Sequence, residues 1–185
     1  VLFFVYGTLM DPDLRRTVFG RRAGEVRVTP GVLLNHVRRT AAGGPFPVVL
    51  PRPGGRVPGY FLENLDRELL LWMAHFEGPG YLPRRVTAWD ARGGRLRPWT
   101  FAPVETPAVR AEGWDMRRWQ AVHKPAVQRE AKTWMLATRP GHPLALDVSW
   151  LGRRRLRDVV AGGDDQPQPN PDMPPSAEDA FTLAA

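Results

Sequence analysis

The sequence predicts a mixed sheet, or a small barrel-like sheet, flanked by helices, in the α/β or α+β class. Three observations carry this. The chain opens on a short apolar strand that stops at a glycine and gives way to a capped helix pattern. Several further short strand candidates follow, separated by Gly- and Pro-rich turns. The regular strand–helix alternation that a doubly wound sheet needs is missing.

Taken in order, residues 1–6 form the first strand: aromatic, β-branched and ended by Gly7. Asp11 is placed to cap the next helix, Pro12 suits its first turn, and Gly20 closes it after Leu14, Val18 and Phe19. Residues 25–34 and 46–50 are strand candidates around a turn at Gly43-Gly44. Pro45, Pro47 and Pro51 assign the second of these to a sheet edge or an extended segment. Pro53-Gly54-Gly55 reads as a turn into another strand, Val57 to Leu62. A second helix starts near Asp66; Leu65, Leu69, Leu70, Trp72, Met73 and Phe76 give it a broad apolar face, and Gly78-Pro79-Gly80 ends it. Strands are expected at 82–89 and 95–101, joined at Gly93-Gly94. Helices are expected at 114–124 and 126–138 with a break at Pro125. Their Trp114, Trp119, Val122, Val127, Ala131, Trp134 and Met135 are expected to cover one side of the sheet. A last short helix is expected over 150–160, with Arg153-Arg154-Arg155. The expected organisation is a single domain over 1–160, the part over 102–160 being mainly helical, and a flexible, acidic, Pro-rich tail over 161–185.

Composition bounds the function. The 185 residues, 43% hydrophobic and with seven tryptophans, suffice for one core. No cysteine is present, which removes disulfides and thiolate metal sites and suits a reducing, cytoplasmic compartment. The opening apolar run is too short for a signal-peptide core, and no 18-residue apolar stretch offers a membrane span. The net charge of +7 hides an asymmetry: residues 164–185 hold five of the 19 acidic residues and no basic one, which leaves the body at about +12. All but Lys124 and Lys132 of the 26 basic residues are arginine. A basic nucleic-acid-binding protein stays an alternative, but a solvated arginine-rich surface explains the same composition.

His36, His75, His123 and His142 form no metal-ligand spacing, and neither a Gly-rich nucleotide fingerprint nor a nucleophile elbow occurs. Two features remain. In Tyr6-Gly7-Thr8-Leu9, a glycine ending a buried strand allows close approach, and successive N–H groups there can cradle an anion. A plain strand-to-helix turn fits the same residues. In Phe76-Glu77-Gly78-Pro79-Gly80-Tyr81, an acid ends an apolar helix; buried, it would titrate near neutrality. A solvent-facing helix-end glutamate fits equally.

The ordered set of motifs resembles the gamma-glutamylcyclotransferase-like family, also described as avirulence-induced-gene-like. The resemblance runs from Phe4-Val5-Tyr6-Gly7-Thr8-Leu9 through Phe46-Pro47-Val48-Val49-Leu50-Pro51 and Val57-Pro58-Gly59-Tyr60 to Leu65-Asp66 and Glu77-Gly78-Pro79-Gly80-Tyr81, covering about residues 1–101. It implies a mixed barrel-like fold with a cavity at one end. The backbone of Gly7, Thr8 and Leu9 would hold a small-molecule gamma-glutamyl group, with Tyr6 and Tyr81 shaping the pocket and Glu77 as acid/base. The implied product is 5-oxoproline, formed with release of an amine or amino acid, without metal or cofactor. A non-catalytic relative that binds a small molecule or protein is the main alternative. Where the family often carries an arginine, two residues past the tyrosine, this chain has Pro83 followed by Arg84 and Arg85.

Overall fold

The computed structural model describes residues 1–137, 159 and 168–169. The expected helix over 150–160 and most of the acidic tail lie outside the described residues.

Its framework is one mixed sheet, a half-barrel flanked by helices, and the first strand lies in its interior. Strand β1 (Phe3–Val5) pairs antiparallel with β3 (Pro47–Glu63) and parallel with β7 (Trp99–Pro103). With strands on both sides and apolar packing on both faces, β1 is buried throughout. Alternation sends Phe3 and Val5 into the core under the helices, and Phe4 and Tyr6 into a second cluster with Leu33, Val57 and Phe61. Beyond β3 lies β2 (Arg27–Ala41), then β5 (Ala88–Asp90) and β6 (Gly94–Leu96). On the other side β7 carries β4 (Tyr81–Arg85). Strand β8 (Val109–Gly113) pairs with the far end of β2, an element the sequence reading did not foresee.

Two strand expectations are corrected. The turn expected at Pro53-Gly54-Gly55 lies inside a single strand spanning 47–63, which pairs with β2 through an irregularity between Leu34 and His36. Asn35 adopts φ 58° there and Gly54 adopts φ 72°, and the Asn35 side-chain oxygen accepts the Gly54 N–H at 3.0 Å. The two residues absorb the irregularity, so the chain need not leave the sheet. The prolines keep to the expected place: segment 47–51 is bonded only to β2. The expected strands at 82–89 and 95–101 are each divided. Their outer parts pair as β4 with β7, their inner parts as β5 with β6, and the chain changes direction where the Val86 N–H meets the Pro98 carbonyl at 3.0 Å.

Helix α1 (Pro12–Phe19) begins and ends as its caps dictate, with Asp11 accepting from the N–H groups of Asp13 and Leu14 and Gly20 at φ 58°. Helix α2 (Arg67–Glu77) does the same between Asp66 and Gly78, the latter at φ 74°. Helices α3 (Met116–Val122) and α4 (Lys124–Ala137) break at His123 rather than at Pro125, which sits in the first turn of α4 where its missing N–H costs nothing. Their apolar residues do not cover the sheet as expected. Trp114, Trp119, Val127 and Ala131 close on Leu14 of α1, Val122 is exposed, and Met135 alone joins the main core. Among the described residues no helix is long and apolar enough to cross a membrane. Gln168–Pro169, inside the expected tail, forms a two-residue strand β9 against β6.

The joint between α1 and the α3–α4 pair is polar. Asp11 is fully buried and, besides capping α1, accepts from Gln120 Nε2 and Lys124 Nζ, both at 2.8 Å. Burial pushes the Asp11 pKa up, but these hydrogen bonds and the Leu14 N–H outweigh it and hold the carboxyl below its ordinary value. A carboxyl lowered in the folded state stabilises above its unfolded pKa and loses that contribution as pH falls through the folded value. Asp11→Ala should therefore cost about 2–4 kcal/mol at pH 7, losing the cap and a buried ion pair, with a smaller deficit under strongly acidic conditions. Urea unfolding at the two pH values measures both.

Candidate active site

The site is built from the end of β1, the end of α2 and one face of α4. Beyond Val5 the chain enters a single 3₁₀ turn, Thr8–Met10, with Met10 N–H donating to the Gly7 carbonyl and Asp11 N–H to that of Thr8. Two arginines take the remaining carbonyls. Arg38 on β2 donates to the Tyr6 oxygen at 2.8 Å, and Arg15 on α1 donates to those of Leu9 and Met10 at 2.9 and 2.7 Å. All five carbonyl oxygens from Tyr6 to Met10 are thus satisfied by the protein. The N–H groups of Gly7, Thr8 and Leu9 have no acceptor among the described residues, and all three residues line a cavity of about 380 Å³. The loop offers the cavity donors only.

Gly7 earns its place by space rather than by unusual φ. Its φ is −130°, but a Cβ there would lie 2.5 Å from Pro47 Cγ. The loop therefore lies flat on the start of β3, in the proline-rich segment that accompanied it in the sequence motif. Tyr6 is anchored behind it, its hydroxyl donating to the Phe101 carbonyl at 2.8 Å, while Thr100 Oγ1 donates to the Phe4 carbonyl at 2.8 Å. These two bonds lace β7 to β1 beyond their single paired position.

Glu77 is the last residue of α2 and points into the same cavity. Gly78 then reverses the chain, the Tyr81 N–H returns to the Gly78 carbonyl at 3.3 Å, and β4 begins at Tyr81. The turn sets Glu77 and Tyr81 side by side in the wall. Among the described residues the Glu77 carboxylate accepts no hydrogen bond and makes no ion pair. Burial raises its pKa to about 7. Its charge in turn raises the Tyr81 phenol, behind burial, and helps burial to raise that of Tyr6. The six residues singled out in the sequence, Tyr6, Gly7, Thr8, Leu9, Glu77 and Tyr81, all line this one cavity. Arg84 and Arg85 do not line it; Arg85 stacks on Trp99 at 4.6 Å.

Sequence reasoning missed Arg15, Arg38 and the α4 wall. Arg38 is mostly buried, with its guanidinium over the Trp114 ring at 4.9 Å and a pKa lowered by burial to about 10. No local pattern marks it, because its partner Tyr6 lies 32 residues away. From α4, Val127, Glu130, Ala131 and Trp134 line the cavity, and the Trp134 ring lies parallel to His75 at 4.6 Å. No group of His, Asp or Glu suited to a metal ion occurs among the described residues.

In this half-barrel flanked by helices, Glu77 and the backbone donors of the Gly7–Leu9 loop line one cavity. Residues 3–121 match the family model described as gamma-glutamyl cyclotransferase, AIG2-like, and the chain belongs to that family. Two Arabidopsis thaliana proteins known from solution structures share the fold. The first is 23% identical with a TM-score of 0.54, covering 74% of this chain and 81% of its own. The second is 22% identical with a TM-score of 0.53, covering 74% and 91%. A comparison with curated proteins finds no match.

The raised Glu77 has a consequence for stability. Its neutral form is favoured in the folded state, so between its ordinary pKa of 4.5 and about 7 the fold binds more protons than the unfolded chain and loses stability as pH rises. Glu77→Gln should match wild type near pH 4 and exceed it at pH 8, by up to about 3 kcal/mol. Thermal unfolding of both proteins at the two pH values tests this; equal melting temperatures at pH 8 would contradict it. Replacing Arg38 by Met should leave the Tyr6 carbonyl without its charged donor and destabilise the fold by about 1–3 kcal/mol, read by urea unfolding.

Proposed function

We propose that the protein converts a gamma-glutamyl amide of a small amine or amino acid into 5-oxoproline and the free amine or amino acid. The observation that carries this reading is the pairing in one cavity of an acid poised near pH 7 with three backbone donors that no described residue occupies. Family membership supports it.

The reaction is an intramolecular exchange of one C–N bond for another. The α-amine of the gamma-glutamyl group attacks its own side-chain carbonyl carbon, and the bond from that carbon to the leaving nitrogen breaks. On the way to the lactam N–H the ammonium loses two protons: ionised Glu77 takes one and returns it to the leaving nitrogen, and the second ends on the released amine as its ammonium, so no water is consumed. One carboxyl serves both steps because its pKa lies near the working pH. The tethered nucleophile needs only to be folded into reach. The N–H groups of Gly7, Thr8 and Leu9 are held rigidly enough to bind the substrate's carboxylate or the developing oxyanion without reorganisation. Tyr6 and Tyr81 form the walls against which the chain of the glutamyl group folds.

Incubation with a panel of gamma-glutamyl amines and dipeptides, followed by measurement of 5-oxoproline, tests the reading. Turnover at saturating substrate should rise with pH through about 7 as Glu77 ionises. Glu77→Gln should lower kcat by roughly 10²–10⁴-fold with KM little changed. An unimpaired Glu77→Gln protein would remove Glu77 from the mechanism.

A further inference from the structure

The two arginines that hold the Gly7–Leu9 loop act beyond the carbonyls they touch. In a trans peptide the C=O of one residue and the N–H of the next form one conjugated unit and point opposite ways. A charge on the oxygen therefore polarises the N–H on the far side. Arg38 Nη1 donates to the Tyr6 carbonyl at 2.8 Å, and the N–H of that peptide is the Gly7 donor. Arg15 Nη1 donates to the Leu9 carbonyl at 2.9 Å, and the N–H of that peptide, on Met10, donates to the Gly7 carbonyl at 2.8 Å. The Gly7–Thr8 peptide then ends on the Thr8 donor. The same Arg15 nitrogen donates to the Met10 carbonyl at 2.7 Å, and the N–H of that peptide, on Asp11, donates to the Thr8 carbonyl at 3.0 Å. The Thr8–Leu9 peptide then ends on the Leu9 donor. All three donors of the loop thus close hydrogen-bonded chains that start on a guanidinium, one peptide long for Gly7 and two for Thr8 and Leu9.

Neither guanidinium balances an acid. Arg22 shows the alternative use, paired with Glu25, Asp66 and Glu68. Among the described residues Arg15 and Arg38 pair with no carboxylate, and burial lowers the pKa of both. A neutral donor would satisfy the same carbonyls, and burying a charge without a counter-ion costs far more in desolvation. What the cation adds is a charge-assisted bond, about twice as strong as a neutral one, and polarisation that strengthens each following bond by about 10–30%. Neither arginine is among the residues that line the cavity.

We propose that Arg15 and Arg38 are positioning residues that charge the three loop donors through the peptide groups, so that two cations outside the cavity set the strength with which the loop holds a carboxylate or an oxyanion. This rests on the cyclotransferase reading for what the donors bind, whereas the polarisation belongs to the protein by itself. The relay is selective: Arg38 feeds Gly7, and Arg15 feeds Thr8 and Leu9.

Backbone amide proton shifts of the isotope-labelled protein read each branch. Arg15→Gln and Arg38→Gln keep a donor and lose the cation; Arg15→Lys and Arg38→Lys keep both. Arg15→Gln should move the Thr8 and Leu9 amides upfield, together with those of Met10 and Asp11, and leave Gly7 in place. Arg38→Gln should move Gly7 and leave Thr8 and Leu9. The lysine variants should restore most of each shift. In parallel, kcat/KM for 5-oxoproline release should fall about tenfold in each Gln variant and recover with lysine. Where a Gln variant does not fold, replacing the same arginine by citrulline, which keeps the shape and the N–H donors without the charge, gives the same comparison. Amides that stay in place, shifts that lysine does not restore, or full turnover despite moved amides would overturn the relay, since a purely structural role needs only a donor. The predicted shift pattern in a protein that releases no 5-oxoproline from any gamma-glutamyl compound would uphold the relay and sink the cyclotransferase reading. Wild-type turnover with unmoved amides in both Gln variants would do the reverse.

Discussion

The five carbonyl oxygens of Tyr6 to Met10 are the constraint on which the site depends. A loop at the end of a buried strand must place both its donors and its acceptors, and here the acceptors are consumed inside the protein. Two are taken by the 3₁₀ turn itself and three by the guanidinium groups of Arg38 and Arg15. What remains is a one-sided surface of N–H groups. Because Arg15 comes from α1 and Arg38 from β2, the loop's orientation is fixed by the helix layer and the sheet together. Pro47 beneath Gly7 leaves no room for the loop to sink. The donor-only character of the loop is thus a property of the whole fold, expressed at a few residues.

Against this donor surface stands an acid that the same fold keeps from being an ordinary anion. Glu77 ends α2, where the helix dipole already disfavours negative charge, and burial in the cavity wall raises its pKa to about 7. Neither the two arginines of the loop nor Arg84 and Arg85 reach it as an ion-pair partner. The cavity thus holds two kinds of polarity: the fixed backbone dipoles of the Gly7–Leu9 loop and an acid whose pKa lies near neutrality. An arginine beside Glu77 would collapse the distinction by holding the carboxylate ionised.

The third contributor, α4, is tied to the loop through Asp11. This residue follows the 3₁₀ turn, caps α1, and binds Gln120 and Lys124 at the joint between α3 and α4. One buried carboxylate therefore couples the Gly7–Leu9 loop to a helix that lines the same cavity, and Trp119, Val127 and Ala131 pack on Leu14 at that joint. The cavity is lined mostly by residues within the family match, with Val127, Glu130, Ala131 and Trp134 added by a helix beyond it.

The sequence by itself determined the elements whose signals are local. The first strand, the caps at Asp11, Gly20, Asp66 and Gly78, and the two motifs holding Tyr6, Gly7, Thr8, Leu9, Glu77 and Tyr81 could be read because each depends on neighbours within a few residues. The mixed sheet followed from their order. Tertiary structure alone decided the rest. The 47–63 strand continues past its Pro-Gly-Gly segment because β2 pairs with it on both sides of the unpaired residues 52–55, which no local propensity reports. The strands expected at 82–89 and 95–101 divide because each half finds its partner on a different side of β1. Arg38 could not be singled out among 24 arginines, since what distinguishes it is burial against Trp114 and a bond to a carbonyl 32 residues away. The same holds for Glu130 and Trp134. A helix's periodicity tells which residues share a face, but only packing determines whether that face meets a core, solvent or a cavity.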